Sequence, residues 1–411
     1  MEPRRRVLVL AYFFPPLGGA GVQRTLKFIR YLEPLGWDAT VVTSRSRHYP
    51  ARDPSLMKDV PGGTRIIRTR ALPLASWVGA ILYHLRLRRF HAWVTWPDGG
   101  KGWAPFAFLA AWRAARHDKP DVIFSSSAPF GAHLVAMWVS RRTGIPWVAD
   151  FRDEWAFNPN LGEPPTSLAR LTARSERAIT AAARRVVVAA DYFQLEGLGP
   201  DDPRRSVIPN GVDDADLPQK SMQPPTDRFV LANVGTVYDA FNPSAALRVL
   251  TRLVEQGDME REKVEVRFVG SIWSDDFVPP EGIRFEQTGY VEHSRAVEEM
   301  CTASALLLYR PSSSLAPSGK LFEYLASGRP ILCLTRPDNL AAGLVRDWHA
   351  GVVADPHDEP EIEAALLTLW HRWRESGLPD QSEVRRRVLE RYSRQAGAKQ
   401  LAQVLEDAAH G

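Results

Sequence analysis

The stretch VLVLAYFFPPLGGAG at residues 7–21 decides the fold of the N-terminal half of the chain. Its first five residues are an unbroken apolar run, which predicts a strand buried on both faces of a parallel sheet. The glycines Gly18, Gly19 and Gly21 follow, and a helical pattern of apolar residues then continues to Leu35. Strand, glycine loop and helix in this order form the opening unit of a doubly wound α/β domain.

The same alternation of strand and helix recurs along the chain. It is interrupted once, at residues 213–228, a polar segment without periodicity that contains Pro218, Pro224 and Pro225 and is predicted to be a linker. Amphipathic helical stretches separate the predicted strands on either side of it. Those strands lie at 38–44, 64–70, 121–125, 146–150 and 185–189 before the linker, and at 229–234, 264–269, 283–287, 305–308 and 330–334 after it.

We therefore predict an α/β protein with two Rossmann-like, doubly wound parallel-sheet domains. The N-terminal domain covers residues 1–212 and the C-terminal domain residues 229–385, and a basic helix at 386–411 is expected to pack back on the N-terminal domain. Ligands of open α/β sheets bind outside the carboxyl ends of the strands. The two sheets are accordingly expected to face a central cleft.

The composition excludes several classes of protein. A chain of 411 residues with 45% hydrophobic and 24% charged residues is neither a small stapled scaffold nor a disordered chain. The net charge of +4 is too small to indicate nucleic-acid binding. Cys301 and Cys333 stand in no metal-binding spacing and predict a reducing, cytoplasmic compartment. We expect neither a signal peptide nor a membrane-spanning helix.

The stretch PSGKLFEYLASGRP at residues 317–330 carries the most informative polar side chains. Ser318 and Gly319 predict a helix start, where unpaired backbone N–H groups favour an anion. Lys320 adds a positive charge at that point, and Glu323 lies about one helical turn later. A phosphate beside Lys320 and hydroxyl groups on Glu323 would suit a nucleoside diphosphate. The alternative is a capped helix with a surface Lys–Glu pair.

The glycine loop at residues 18–21 has two interpretations. It would let a backbone approach an anion at a helix N-terminus, or it is a simple tight turn. The spacing is not GxGxxG, and neither half of the chain shows that motif followed by a spaced acidic residue. A NAD-dependent oxidoreductase is therefore disfavoured.

These separated motifs, in this order, resemble the GT-B glycosyltransferases of the family 4 type. The resemblance covers nearly the whole chain and rests on several motifs together, because a single Pro-Asn-Gly-Val would only be a turn. The motifs are YFFPP at 12–16 with Gly18 and Gly19, SSAP at 126–129 with His133, GIPWVADFRD at 144–153, VIPNGV at 207–212, GYV at 289–291 and the stretch 317–330.

The resemblance implies a sugar-nucleotide site in the C-terminal domain. In similar enzymes a carboxylate at the position of Glu323 takes the ribose hydroxyls, and a cation at the position of Lys320 contacts the diphosphate. The loop Gly289-Tyr290-Val291 would lie at the nucleobase. The Gly18-Gly19 loop of the other domain would close over the diphosphate or the donor sugar.

The resemblance also implies candidate residues for the transferred sugar and the acceptor. His133 would contact the sugar or the acceptor; by itself it is more often an ordinary helix histidine. Asp150 and Asp153, with Arg152, follow a predicted strand and would bind acceptor hydroxyls. A structural network between arginine and aspartate explains the same residues equally well.

Two departures from the family pattern concern the phosphate site. The first of the family's two spaced glutamates is replaced by Leu315, and the loop at 236–242 lacks the usual arginine and lysine. Arg310 is a candidate substitute, with a plain surface arginine as the alternative. These gaps leave a non-catalytic nucleotide-sugar-binding or scaffold homologue open, and a sugar-nucleotide 2-epimerase is the enzymatic alternative.

The expected activity is retaining, metal-independent hexosyl transfer from a nucleoside-diphosphate sugar to a saccharide or lipid-linked acceptor, in cell-surface polysaccharide or glycoconjugate synthesis. Charge stabilisation of the leaving diphosphate by Lys320 would dominate. No cofactor or metal is expected, since the acids at 213–216 lie beside the linker. Residues 72–96 mix aromatic, aliphatic and arginine side chains, which is typical of an interfacial helix on an anionic membrane or of a buried helix pair. The predicted location is cytoplasmic, with peripheral membrane contact as an option.

Overall fold

The computed structural model describes residues 4–45, 51–72, 78–79, 81–82, 84–98, 100–158, 164–218, 222–239, 242–310, 319–375 and 382–410. The chain forms two compact units. One contains Met1–Pro209 and Arg394–Gly411, and the other contains Asn210–Ser393.

The first unit is built on a seven-stranded sheet in the order β3-β2-β1-β4-β5-β6-β7. Every neighbouring pair is parallel, so each connection must cross back over a face of the sheet. Its strands are β1 (Arg5–Leu10), β2 (Trp37–Ser44), β3 (Arg65–Thr69), β4 (Val122–Ser126), β5 (Trp147–Phe151), β6 (Arg185–Val188) and β7 (Arg205–Val207).

Helices cover this sheet and bury its apolar strands. The helices of the unit are α1 (Ala20–Leu32), α2 (Arg88–Thr95), α3 (Ala104–Asp118), α4 (Gly131–Thr143), α5 (Thr166–Ala182) and α12 (Arg394–His410). Val7 and Val9 of β1 belong to one core cluster with apolar residues of α1 and α12. The alternate residues Leu8 and Leu10 are also buried, as expected for a strand covered on both faces.

The second unit repeats this architecture around a six-stranded parallel sheet in the order β12-β10-β8-β13-β14-β15. A separate two-stranded parallel sheet joins β9 and β11. The strands are β8 (Phe229–Val234), β9 (Val237–Tyr238), β10 (Val264–Val269), β11 (Ile272–Trp273), β12 (Arg284–Gly289), β13 (Ala305–Tyr309), β14 (Ile331–Leu334) and β15 (Gly351–Ala354). The helices are α6 (Ser244–Gln256), α7 (His293–Thr302), α8 (Gly319–Ser327), α9 (Leu340–Asp347), α10 (Glu359–Glu375) and α11 (Ser382–Tyr392).

The two doubly wound parallel sheets confirm the predicted fold class, but the boundary between the units differs from the predicted one. The predicted linker at 213–228 is part of the second unit. Val212 and Leu217 are 3% and 4% exposed and pack in its core, which a solvated linker would not do. The short edge strands β7 and β15 were not predicted, because three or four residues carry too little periodicity.

The C-terminal segment, predicted as one or two basic helices with residues 386–411 on the N-terminal domain, is two helices. Helix α11 packs against α8 in the second unit, and only α12 packs against α1 in the first. Ser393 separates them and forms a bridge with Val212. The apolar residues Val384 and Val388 of α11 complete the second unit's core, so this helix cannot leave it without exposing them.

Candidate functional site

Reversals of strand order single out one place in each sheet. In the first sheet the order reverses between β1 and β4, and in the second between β8 and β13. Ligands of doubly wound sheets bind outside the carboxyl ends of the strands at such switch points. The residues that follow these four strands are therefore the candidates in each unit.

In the second unit, glycines converge at the carboxyl edge. Gly235 follows β8 and Gly270 follows β10, with φ angles of 116° and 133°, which residues with a side chain rarely adopt. The Gly235 amide donates to the Val269 carbonyl at 2.6 Å. A β-carbon on Gly270 would lie 2.7 Å from the backbone of Gly235, so only glycine allows the two loops to lie so close. Gly289, at the end of β12, forms a bridge with Gly270.

Lys320 from the first turn of α8 packs against these glycines. A β-carbon on Gly235 would overlap Cε and Nζ of Lys320, which shows that the amino group lies directly on the Gly235 backbone. Burial lowers the pKa of Lys320 to about 8; the Glu323 carboxylate opposes this shift and the Arg310 guanidinium adds to it. A second cation near a partly buried amine makes the place favourable for an anion.

Arg310 lies directly after β13, one of the two switch-point strands. Arg310 is 7% exposed, so the alternative of a surface arginine is wrong. Its backbone amide donates to the Leu334 carbonyl at 2.8 Å, which holds it at the end of the sheet. Lys320 and Arg310 thus bring two positive charges to the carboxyl edge of this unit.

Glu323 and Tyr324 show how α8 is oriented. Glu323 is partly exposed one turn after Lys320, whereas Tyr324 is buried beneath β8. The Tyr324 hydroxyl accepts a hydrogen bond from the Val234 amide at 2.8 Å and donates to the Val234 carbonyl at 3.3 Å. These two hydrogen bonds attach α8 to Val234, the residue that precedes Gly235. Tyr324 was missed as a site-forming residue, since a tyrosine on an apolar face suggests only packing.

The remaining predicted residues of the second unit are less informative. Ser318 and Leu315 lie outside the described residues, which resume at Gly319. Tyr290 is 41% exposed after Gly289, and Val291 is partly buried against the core that contains α7. The loop Gly289-Tyr290-Val291 therefore presents one aromatic side chain to solvent beside the glycine cluster.

In the first unit, the glycine loop before α1 is only partly available to a ligand. The Gly18 amide donates to the Ala51 carbonyl at 2.9 Å, so this N–H is already paired. Gly19 precedes the helix with φ of 87°, and no side chain caps the first turn. Gly19, rather than Gly18, is thus the member of the pair that retains the anion-binding geometry of a helix N-terminus.

Asp150, predicted to bind acceptor hydroxyls, instead forms a buried ion pair. Its carboxylate accepts hydrogen bonds from Nε and Nη2 of Arg24, the shortest at 2.7 Å, and from Ser126 Oγ at 2.7 Å. The side chains of Arg24 and Asp150 are 1% and 0% exposed. Both carboxylate oxygens are occupied, so the structural network, not the acceptor role, is correct for Asp150.

Arg24 also explains the motif VIPNGV at 207–212. Its guanidinium donates to the carbonyls of Ile208 and Pro209 at 2.8 and 3.0 Å. Two residues later, a β-carbon on Gly211 would overlap the Tyr392 carbonyl, and the Val212 amide donates to that same carbonyl at 2.9 Å. The motif is therefore where the chain leaves the first unit and pairs with the returning segment, and glycine is required for that close approach.

The neighbouring residues Arg152 and Asp153 have different surroundings: Arg152 is paired with backbone carbonyls, and Asp153 is exposed. Arg152 donates to the backbone carbonyls of Gly21 and Ala128 at 2.7 and 2.9 Å and also to that of Ser127, so it is structural. Asp153 is exposed at the carboxyl end of β5 and remains a candidate acceptor contact.

Glu176 of α5, which sequence reasoning missed, braces the loop that carries Asp153. Its buried carboxylate accepts from the amides of Ala156 at 3.4 Å and Glu196 at 2.9 Å, thereby joining the loops that follow β5 and β6. Burial raises the pKa of Glu176 to about 7. A glutamate on the buried face of an amphipathic helix was the only signal available in the sequence.

His133 is fully buried behind aromatic rings. Its Nδ1 shares a hydrogen bond of 2.8 Å with Ser125 Oγ, which also accepts from Trp147 Nε1. Its Nε2 is buried and has no hydrogen-bond partner among the described residues. Burial lowers the pKa of His133 to about 3, so the ring is neutral at physiological pH and cannot act as an acid there. It can offer only a neutral ring nitrogen to a ligand.

The described residues offer neither a metal site nor a membrane-spanning helix. In the described part of the chain, no group of three or more His, Cys, Asp or Glu residues could hold a metal ion, and no helix is long and apolar enough to cross a membrane. A cavity of about 420 Å³ lies at the amino edge of the first sheet. Its main charges, Arg65 and Asp118, are paired with each other at 2.6 Å.

The chain is similar in sequence and in fold to known glycosyltransferases. Residues 18–211 match the family model described as glycosyl transferase 4-like domain. The D-inositol 3-phosphate glycosyltransferase of Thermomonospora curvata is 28% identical over 260 residues, which are 56% of this chain. The match spans 60% of that relative's length.

Solved structures extend the likeness to nearly the whole chain. Sucrose-phosphate synthase from Thermosynechococcus elongatus has a TM-score of 0.65 at 16% identity, over 98% of this chain and 99% of that one. Anabaena HepE in complex with UDP and glucose has a TM-score of 0.63 at 13% identity, over 98% and 100%. A glycosyltransferase from Rickettsia africae has a TM-score of 0.67 at 10% identity, over 99% of each chain.

The two parallel-sheet units and these similarities define the GT-B fold. The family model, which matches slightly less than half of the chain, and the curated relative show that this part of the chain is similar to glycosyltransferases of the family 4 type.

The buried pair of Arg24 and Asp150 predicts a large loss of stability when one partner is removed. Arg24→Met leaves a buried carboxylate without its cation and is expected to lower the free energy of unfolding by about 3–5 kcal/mol. Urea denaturation measures this. Arg4→Met is the control, because the Arg4–Asp38 pair is 42% and 47% exposed and should contribute less than about 1 kcal/mol. Equal losses in the two variants would contradict the assignment.

The contact between Gly235 and Lys320 predicts a selective loss of anion binding in Gly235→Ala. The added methyl group would displace the Lys320 amino group, so affinity for a nucleoside diphosphate should fall at least tenfold in calorimetry. Gly257→Ala is the matched control, since Gly257 also has a positive φ, of 86°, but nothing lies within 4 Å of its β-carbon position. Both variants place a side chain at a positive φ and should lose about 1–2 kcal/mol of stability, and only Gly235→Ala should lose affinity.

Proposed function

We propose that this chain is a retaining glycosyltransferase that moves a hexose from a nucleoside-diphosphate sugar to a saccharide or lipid-linked acceptor, in the synthesis of a cell-surface polysaccharide or glycoconjugate. The observation that carries the proposal is the position of Lys320 on Gly235 at the switch point of the second sheet. Supporting it, HepE, a structure of the same fold, holds UDP and glucose.

The donor's diphosphate would lie against the glycines of the second unit. Gly235 and Gly270 carry no side chains that would keep a ligand away, and Lys320 and Arg310 supply positive charge close by. Glu323, one turn along α8 and partly exposed, would accept hydrogen bonds from the ribose hydroxyls. Gly289, Tyr290 and Val291 would contact the nucleobase.

The proposed chemistry is the departure of the diphosphate from the anomeric carbon. Negative charge grows on the leaving phosphate as this bond breaks, and the cations at Lys320 and Arg310 stabilise it without a metal ion. Removal of one such preorganised donor typically lowers the rate by about 10²–10³. The acceptor hydroxyl would attack from the same face, and Asp153 remains the proposed acceptor contact of the first unit.

Calorimetric titration with UDP, GDP, ADP and TDP in the absence of metal tests the donor site. Glu323→Ala should weaken binding of the preferred nucleotide and Lys320→Met should weaken it more. Because Lys320 loses its proton above a pKa of about 8, affinity should fall about tenfold between pH 7 and pH 9 in the wild type. Lys320→Met should show little of this dependence.

The control for this titration is Lys263→Ala, which removes a lysine from an exposed pair with Glu260. Wild-type affinity in both site variants would refute the site assignment. Turnover separates the remaining alternatives: a 2-epimerase converts the sugar nucleotide without an acceptor, and a scaffold homologue binds nucleotide without turnover. Sugar transfer that Lys320→Met abolishes would support the proposed activity.

We also propose peripheral contact with an anionic membrane through residues 72–96. Large apolar side chains stand exposed here, among them Ile81 at 59%, Leu85 at 62% and Phe90 at 64%. Such exposure favours the interfacial alternative over a buried helix pair. Trp77 and Tyr83 lie outside the described residues, as do the side chains of Arg88 and Arg89.

Flotation with liposomes tests this contact. The wild type should float with vesicles of phosphatidylcholine and phosphatidylglycerol more than with phosphatidylcholine alone, because anionic lipid attracts basic segments. Phe90→Ser/Trp93→Ser should reduce flotation at least fivefold. The matched control Leu109→Ser/Trp138→Ser removes apolar side chains of 42% and 44% exposure from α3 and α4. If both double variants float like the wild type, residues 72–96 are not a membrane contact.

A further inference from the structure

The small sheet formed by β9 and β11 presents two aromatic side chains to solvent. Tyr238 is 45% exposed and Trp273 is 53% exposed. They are register partners in adjacent parallel strands, and their rings meet edge to face at 5.4 Å and 77°. The preceding residues of the two strands, Val237 and Ile272, point the other way, into the unit's core. The aromatic pair is therefore a fixed outer face.

The loops beside this face are joined by a chain of hydrogen bonds. Asn242 Nδ2 donates to Ser274 Oγ at 3.1 Å, which joins the loops that follow β9 and β11. The Asn242 side-chain carbonyl accepts from Ser244 Oγ at 2.6 Å, and Ser244 Oγ in turn accepts from the Val278 amide at 2.9 Å. Exposed aromatic rings that are ordered in advance lose little conformational entropy when a ligand covers them.

The surroundings of the pair are acidic. Asp239 follows Tyr238, Asp275 and Asp276 follow Trp273 after one serine, and all three aspartates are exposed. The segments 235–239 and 270–282 contain no lysine, arginine or histidine. A phosphate-bearing ligand is repelled here, whereas hydroxyl groups can donate hydrogen bonds to the carboxylates. The electron-rich ring faces favour the weakly positive C–H groups of a flat apolar ligand face.

The pair is close to the proposed donor site. Tyr238 follows Gly235 by three residues and Trp273 follows Gly270 by three residues. Three extended residues span at most about 10 Å. The two loops that form the glycine cluster against Lys320 therefore continue directly into the aromatic face.

We propose that Tyr238 and Trp273, with their flanking aspartates, form a binding platform for a saccharide that carries no acidic group. A sugar ring stacks on the aromatic face and its hydroxyls bond to the carboxylates. The role of this saccharide as the acceptor rests on the proposed function: in that reaction the platform holds acceptor sugar units beside the donor site.

A glycan array probed with the labelled full-length protein tests the platform. The array carries neutral, amino-bearing and acidic saccharides. The wild type should retain neutral or amino-bearing saccharides at least tenfold more than acidic ones. Tyr238→Ala/Trp273→Ala should lose at least tenfold of this binding, while Trp138→Ala, which removes an exposed tryptophan of the first unit, should keep it. Asp275→Asn/Asp276→Asn should admit acidic saccharides.

Several results would overturn the proposal. They are the absence of saccharide binding by the wild type, or binding that Tyr238→Ala/Trp273→Ala leaves unchanged. A loss of UDP or GDP affinity in that variant without a change on the array would show that the face stacks a nucleobase. Concentration-dependent self-association in sedimentation that the variant removes, again without a change on the array, would show that a second copy covers it.

The outcomes also separate this platform from the proposed function. Suppose that the wild type binds saccharide but no nucleotide, and that Tyr238→Ala/Trp273→Ala no longer binds saccharide. The glycosyltransferase proposal then fails and the platform stands. If the wild type transfers sugar and the variant keeps both turnover and saccharide binding, the platform fails alone. Thermal denaturation of the variant confirms that it is folded.

Discussion

The buried pair of Arg24 and Asp150 is the interaction on which the first unit's carboxyl edge depends. One guanidinium donates to the carboxylate of Asp150 on β5 and to the carbonyls of Ile208 and Pro209, and Ser126 at the end of β4 donates to the same carboxylate. The pair is almost inaccessible to water, so each charge would be costly to bury if the other were absent. Helix α1, two central strands and the exit of the chain are therefore held in one arrangement, which in turn places the Gly19 loop and Asp153.

The second unit prepares its carboxyl edge by a different means. The first unit fills that edge with paired side chains. In the second unit the edge is formed by the backbone of Gly235 and Gly270, and the side chain of Lys320 packs against Gly235. The Tyr324 hydroxyl, bonded to Val234, keeps α8 in the one position where this contact is possible. This difference between the two edges is the reason why we assign anion binding to the second unit. At the edge of the first unit, most of the polar side chains discussed above already have partners within the protein.

Local pattern was enough to predict the elements that carry the candidate site. Helix spacing alone places Lys320 and Glu323 at the start of α8, and the strand ends follow because apolar runs stop at glycine. For Asp150 the sequence left an acceptor contact and a structural network equally open, since Arg24, the partner that occupies it, is 126 residues away in the sequence. Tyr238 and Trp273 were missed because a strand of two residues has no periodicity from which a face can be inferred.

The order of strands and helices, the two parallel sheets and the positions of the loops follow from the distribution of apolar residues, because periodicity is a property of neighbours along the chain. The boundary at Pro209, the break at Ser393, the burial of Arg310 and the occupation of Asp150 were decided only when distant segments met. Whether a charged side chain faces a ligand or a counterion depends on what lies within a few ångströms of it in space, and folding, not spacing in the sequence, determines that.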